Sequence, residues 1–333
     1  MVKQYIRTLT AGSQIATWSS GGESRIDLPK DYLLQRIILD CRGDIDLSSA
    51  TLVEDGGQRM LKYIRLELVG GRYGNKTVVD VSGVDLYFIN FYDNAEGLER
   101  LVPIANGTDS AVAIQLVIDF RLAKNDPDDF SCAIPLYSVS SATLIIGWDT
   151  IAVGYTASGG SNFAMTAKIT LIEGKPESQA EAVAALKNPL LTLTNSAFDC
   201  SSSSGAEEER NTDLVTGSLM RRIFFFARTS ASARSDTEIE YLTLKKIDDP
   251  YFEKYDWDAI ACQDEMDYNL PNYDGNRHIK GLVCIDFARG AVDERGRVLG
   301  EDWRGFKSGD IKLTIYKNAA SSKIRYVREA VEA

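Results

Sequence analysis

At 333 residues, the chain can bury one large core or two of ordinary size. Its 44% hydrophobic and 26% charged residues are the composition of a globular protein. A formal net charge of −11 argues against nucleic-acid binding as the main role, because phosphate-binding proteins present a basic face.

The N-terminal MVKQYIRTLTAGSQIATW lacks the apolar stretch of a secretory signal, and no window reaches the length of a membrane span. Further along, YIRLEL (63–68) alternates Ile64, Leu66 and Leu68 with Arg65 and Glu67, the period of a strand with one face on a core. AKITLIEG (167–174), DIKLTIYK (310–317) and SKIRYVRE (322–329) behave alike, and the clusters VGGRYGNK, AKNDPDD, TASGGSN and NYDGN punctuate them as turns. One segment reads as a helix, PESQAEAVAALKN (176–188), which opens on Pro176 and is rich in helix-forming residues. It lies between two β-rich halves, as a connector would, and SSSSGAEEERN (201–211) reads as a flexible loop after it.

The halves repeat one another. Asp27-Leu28, Leu33-Leu34 and Arg36-Ile37 match Asp213-Leu214, Leu219-Met220 and Arg222-Ile223 at a constant offset of 186. KYIRL (62–66) matches EYLTL (240–244) at 178, and Ile118-Asp119-Phe120 matches Ile285-Asp286-Phe287 at 167. The last offset carries SATLIIGW (141–148) onto SGDIKLTI (308–315) without a gap. Collinear matches with a falling offset are what duplication followed by longer loops in the first copy produces. The expected fold is all-β: two tandem eight-stranded jelly-roll β-sandwiches, residues 1–175 and 189–333, joined by the helical connector 176–188. The continuous apolar run Ile223–Phe226 predicts a strand covered on both faces, the second by the neighbouring domain or a neighbouring subunit.

Little in the chain points to chemistry. The single histidine, His278, cannot by itself supply a triad or a zinc site. Cys41, Cys132, Cys200, Cys262 and Cys284 form no CxxC pair and read as reduced structural thiols made in a reducing cytoplasm. Glu238/Glu240 and Glu265/Asp267 stand at i,i+2, where a strand aims both carboxylates at one face as in a glycosidase, but solvated charge explains them as well. KNDPDD (124–129) and NYDGN (272–276) offer oxygen ligands for interfacial Ca²⁺, and neither has the EF-hand spacing. Arg221, Arg222, Lys245 and Lys246 suit either a phosphate-rich membrane surface or lateral salt bridges to acidic neighbours. No nucleotide-binding glycine motif is present, so the sequence assigns no catalytic, cofactor or metal residue.

Taken in order, SRIDLPKDYLLQRIILDCRG (24–43), GGQRMLKYIRLELVGG (56–71), VSGVDLYFINFY (81–92), IPLYSVSSATLIIGW (134–148), GLVCIDFARG (281–290) and the C-terminal SGDIKLTIYKNAASSKIRYVREA resemble the double jelly-roll major capsid proteins of tailless, membrane-containing icosahedral viruses. In that resemblance 24–43 is the opening strand, 56–71 and 81–92 the next two, and 134–148 the end of the first roll. It implies a non-enzymatic virion protein of the tectivirus-like lineage, made in the host cytoplasm, that assembles as pseudo-hexameric homotrimers into an icosahedral shell. Penton and minor capsid proteins and an underlying lipid membrane are the implied partners. It also implies that VEDGGQ (53–58) and VGYTASGGSNFAM (153–165) are towers or contacts between capsomers. The phenylalanines of 224–226 are where the two copies differ most, which places them at a contact the first roll does not make, a roll-to-roll contact. The rival readings are a carbohydrate-binding or adhesive tandem β-sandwich, testable on glycan arrays, and a β-sandwich glycoside hydrolase.

Overall fold

The computed structural model describes residues 2–48, 51–94, 100–101, 107–156, 160–199, 207–211, 217–247, 249–268, 270, 278–288, 300–307, 309–318 and 322–332. They divide into two compact units, Met1–Leu191 and Thr192–Ala333. Unit 1 contains β1 (Lys3–Thr8), β2 (Glu23–Asp27), β3 (Leu33–Leu47), β4 (Leu61–Val69), β5 (Asn75–Val81), helix α1 (Gly83–Asn94), β6 (Gly107–Asp119), β7 (Ser141–Trp148), β8 (Gly160–Lys175) and helix α2 (Gln179–Ala185). Unit 2 follows with β9 (Leu190–Asp199), β10 (Glu207–Asn211), β11 (Leu219–Arg228), β12 (Ile239–Lys246), β13 (Asp249–Asp256), helix α3 (Trp257–Tyr268), β14 (Leu282–Asp286), β15 (Ile311–Lys317) and β16 (Lys323–Glu332).

Within unit 1, the strands run β1-β8-β3-β6 in one sheet and β5-β4-β7-β2 in the other. Within unit 2, they run β9-β16-β11-β14 and β13-β12-β15-β10. Adding eight to each strand number of unit 1 reproduces unit 2, so both units have the same jelly-roll topology. The repeats with both members described fall on equivalent strands, β3 with β11, β4 with β12, β6 with β14 and β7 with β15, while Asp213-Leu214 lies outside the described residues. Register agrees for the first and third of these pairs, with Ile37 opposite Ile118 and Ile223 opposite Ile285. The gapless match of 141–148 to 308–315 is two residues out: Leu66 faces Leu144 while its counterpart Leu244 faces Leu313, an offset of 169.

The alternation of the sequence is the alternation of burial. β4 reads LKYIRLELV with Ile64, Leu66 and Leu68 fully buried, and β15 buries Ile311, Leu313 and Ile315 on one face. In unit 2 these side chains join Met220, Ile223, Phe225, Leu242, Trp257 and Trp303 in one apolar cluster. At roughly 25 cal/mol per Å² of apolar surface removed from water, such a layer is what holds two sheets face to face.

Several expectations need correction. Residues 81–92 are not a strand beyond Val81: from Gly83 they form α1, and α3 is a second helix of equal length absent from the sequence reading. The apolar run 84–92 has no strand alternation, and Ser82 and Asp85 form a reciprocal capping box, Ser82 Oγ accepting from Asp85 N–H at 3.1 Å and Asp85 Oδ2 from Ser82 N–H at 3.3 Å. Asp256 caps α3 with its side chain alone, accepting from Asp258 N–H at 3.0 Å and Ala259 N–H at 3.3 Å. The predicted connector helix is shorter, Gln179–Ala185, and packs on unit 1, where Tyr137 donates to Ala182 O at 2.7 Å. Of the loop expected at 201–211, residues 207–211 form β10, and the rest lies outside the described residues.

VEDGGQ is no tower. Asp55 to Gln58 are buried, and Val53 N–H donates to Gly154 O at 2.9 Å. Leu52 pairs with Tyr155 in a short two-stranded ladder. Gly56 is required here, since a Cβ would stand 2.1 Å from Gly154 O. The described part of VGYTASGGSNFAM belongs to this contact and to the start of β8, which pairs along β3.

Candidate functional site

The residues singled out for chemistry do not converge. Glu238 is buried and accepts from Ser322 Oγ, whereas Glu240 is exposed. Glu265 and Asp267 lie on α3, not on a strand, so two residues of helix turn them to different faces. Asp129 of the KNDPDD turn is buried and accepts from the N–H groups of Leu122 (2.7 Å), Ala123 (2.8 Å) and Ser131 (3.0 Å), which holds the loop. NYDGN lies outside the described residues. Among the described residues, no three His, Cys, Asp or Glu side chains form a metal-binding group, and no helix is long and apolar enough to cross a membrane.

The arginine pair answers differently from either expectation. Arg221 and Arg222 are buried inside unit 2, and both engage Glu329 of β16, Arg221 Nη1 at 3.0 Å and Arg222 through Nη2. They are therefore neither a membrane-facing patch nor lateral bridges to another subunit. Lys246 pairs with Glu301 at 3.2 Å and lies 4.6 Å above the Phe306 ring, while Lys245 beside it is half-buried. His278 pairs with Asp236 at 3.1 Å, which raises its pKa, and Asp236 also accepts from Gly281 N–H at 2.6 Å. The histidine thus ties a loop to the end of β14. Phe224, Phe225 and Phe226 are all buried, as the continuous run predicts; Phe225 faces the core of unit 2, and the guanidinium of Arg222 lies 5.0 Å from the Phe224 ring.

An open depression of 440 Å³ on unit 1 is lined by Asp31, Tyr32, Tyr137, Lys175, Glu177 and Gln179. Its most promising sugar platform, Tyr32, is already occupied: Tyr5 meets it edge-on at 5.2 Å, and Arg7 and Lys175 stand within 5.4 and 5.9 Å of the ring.

What the units do share is how they finish one sheet edge. In unit 1, Asn90 of α1 donates to Val117 O at 2.7 Å and accepts from Val117 N–H at 2.8 Å, capping the margin of β6 next to the short strand Arg100–Leu101, which pairs with Ile114 and Ala113. In unit 2, Asp264 of α3 accepts from Cys284 N–H at 2.7 Å on β14. Asn90 and Asp264 each stand seven residues after the first residue of their helix. The repeated Ile-Asp-Phe triplet gains its reason at the same place. Asp119 accepts from Arg121 N–H at 3.0 Å and Asp286 from Ala288 N–H at 2.8 Å. Phe120 and Phe287 donate their N–H groups to Gln35 O and Arg221 O, at 3.0 and 2.8 Å.

No family model matches the sequence, and no curated protein does. Solved structures do. The major capsid protein of STIV (Sulfolobus Turreted Icosahedral Virus) superposes with a TM-score of 0.76 at 18% identity, covering 99% of this chain and 97% of that one. The major capsid protein of Bacteriophage PM2 gives 0.58 at 14% identity, covering 99% and 98%. The Faustovirus major capsid protein gives 0.63 at 7%, covering 100% and 90%. The chain has their fold. The double jelly roll therefore extends over the whole chain, on sequences that share few residues with it, because alternation and strand order can be met by many apolar side chains.

Proposed function

We propose that the protein is a viral major capsid protein that self-assembles as pseudo-hexameric homotrimers into an icosahedral shell. The observation that carries this reading is the strand-for-strand repetition of one jelly roll within a single chain. Three chains then present six similar rolls, which fill a sixfold site while the two copies diverge to make different lateral contacts. The fold shared with the STIV, PM2 and Faustovirus capsid proteins supports the reading, and so does the dispersal of the two carboxylate pairs, Glu238/Glu240 and Glu265/Asp267, that suggested a hydrolase. The protein works by assembly rather than catalysis. Its place is the virion after synthesis in the host cytoplasm, with penton and minor capsid proteins and an underlying membrane as partners. Assembly needs no cofactor, and a trimer that persists in EDTA checks that point.

The deciding experiment is light scattering coupled to size exclusion. The expected mass is three times the 36.7 kDa chain, and electron micrographs of assembled material should show a hexagonal lattice. A monomer at every concentration would sink the proposal.

A further inference from the structure

The helices finish the β6 and β14 margins, but β1, β2, β10 and β13 have no strand beyond them among the described residues, and of these four β1 and β13 carry exposed large apolar side chains. β1 is hydrogen-bonded to β8 on one side and ends its sheet on the other. β13 pairs with β12 and likewise ends its sheet. An edge strand presents a row of backbone donors and acceptors, which soluble proteins blunt or cover. β1 has no proline, and among the described residues no strand pairs with its outer edge. Every residue of KQYIRT except Arg7 is exposed, and Tyr5 and Ile6, at 42% and 61% exposure, stand on opposite faces. At the other margin, Tyr251 of β13 and the adjoining Ile247 are 46% and 55% exposed. The two strands also differ in charge: β1 carries Lys3 and Arg7 with no carboxylate, while β13, DPYFEKYD, carries Asp249, Glu253 and Asp256 against Lys254.

We propose that β1 of one copy pairs edge to edge with β13 of a second copy, and that this contact closes the trimer. The inference rests on the capsomer reading and names the contact that the reading leaves open. β1 belongs to unit 1 and β13 to unit 2, so the contact joins different patches of two identical chains. Such heterologous contacts close into rings where their rotation allows, whereas a self-complementary contact stops at a dimer. Pairing β1 with β1 would also set like charges together, and pairing it with β13 sets opposite ones together. Arg7 is already held by Asp31 at 2.9 Å and Glu173 at 3.1 Å, so Lys3 supplies the exposed charge. The apolar pair Tyr5 and Ile6 gains a partner in Tyr251. β13 carries its own restraint: Pro250 has no N–H, and Lys254 sits at φ +48°. Regular pairing is thereby confined to the stretch 251–253, enough to set register and too short for open-ended sheet growth.

Light scattering of the full chain over a concentration series tests this. Ile6→Lys alters a side chain that is already mostly in water, so the fold should survive, as circular dichroism would verify, while the trimer falls to monomer. Lys3→Glu or Glu253→Lys should each raise the dissociation concentration about two- to fivefold, and the double variant should restore it. As a second readout, Tyr5→Cys with Tyr251→Cys, in a Cys262→Ser background, should give covalent dimers and trimers on a non-reducing gel. A wild-type trimer that is indifferent to Ile6→Lys and yields no crosslink overturns the edge contact alone. A wild type that never trimerises overturns both this contact and the capsomer reading.

Discussion

β3 and β11 hold the same place in their units, yet they treat their outer faces differently. On β3, Ile37, Leu39 and Cys41 face the core, while Ile38 and Asp40 are half-exposed and Arg42 is exposed. On β11, the inward Ile223, Phe225 and Ala227 have outward companions, Phe224, Phe226 and Arg228, that are buried too. Part of the cover is charged: Arg222 lies over Phe224, and Arg325 stands 5.5 Å from the Phe226 ring. Long cationic side chains can roof an aromatic ring with their stems and planar heads. Beside this, Gln35 on β3 donates to Pro127 O and Asp129 O, at 2.8 and 3.0 Å, where Arg221 and Arg222 on β11 share Glu329. One topology thus carries a one-sided strand in unit 1 and a two-sided strand with a buried ionic cluster in unit 2. The roll keeps its strand order and register, and leaves its outer face to diverge.

The sharpest way to break this comparison is Glu329→Gln, which strips two buried guanidinium groups of their carboxylate and should cost about 3–5 kcal/mol in denaturant unfolding. At the equivalent position of unit 1, opposite Arg36, stands Ile172, and Ile172→Val should cost only about 0.5–1.5 kcal/mol. Next comes the outer face itself. Phe226→Ala should cost about 3 kcal/mol, whereas Asp40→Ala, at the matching position of β3, should stay within about 1 kcal/mol because its pairing with Arg42 is at the surface. Equal losses at Phe226 and Asp40 would erase the distinction between the strands.

The helix caps sharpen the comparison further. Asn90→Asp removes the donor to Val117 O and places a carboxylate beside that carbonyl, a loss of about 1–3 kcal/mol. Asp264→Asn keeps an acceptor for Cys284 N–H and should cost less than about 1 kcal/mol. Thermal melts of the two variants would separate a cap that uses both amide groups from one that needs only an acceptor.

The smallest effects are in pH. Burial raises the Glu173 carboxyl from 4.5 to about 7, against the pull of Arg7. An acid whose folded pKa is raised contributes stability that is complete below 4.5 and lost as the pH rises through about 7. Glu173→Gln should therefore flatten the fall in melting temperature between about pH 5 and 8. His278 acts in the same direction from unit 2. Its bond to Asp236 raises its pKa above 6.5, and its contribution is present below that value and fades above it. His278→Asn should remove a separate, smaller part of the same slope.

How legible these features are in the sequence depends on how local they are. Strands such as 63–68 and 311–317 declare themselves, because a half-buried strand must alternate. The Ile-Asp-Phe triplets are readable as repeats, but their reason, an Asp receiving the N–H two residues on, appears only with coordinates. α1 is misread because a continuous apolar run also suits a strand buried on both faces, although the Ser82–Asp85 box was a local signal that could have found it. α3 carries the weaker signal of the Asp256 cap. The burial of VEDGGQ had no local signal, since its partner Gly154 lies about a hundred residues away in the chain.

By itself, the sequence determined the strand pattern, the order of the repeats and the burial of both faces of Ile223–Phe226, because each is a matter of spacing along the chain. The tertiary structure alone decided which charges are spent internally. Arg221 and Arg222 find Glu329 more than a hundred residues later, and Asn90 and Asp264 reach strand edges that no spacing announces. A buried charge or an open backbone edge takes whatever partner the fold brings within hydrogen-bond reach, and that partner is set by the path of the chain through space.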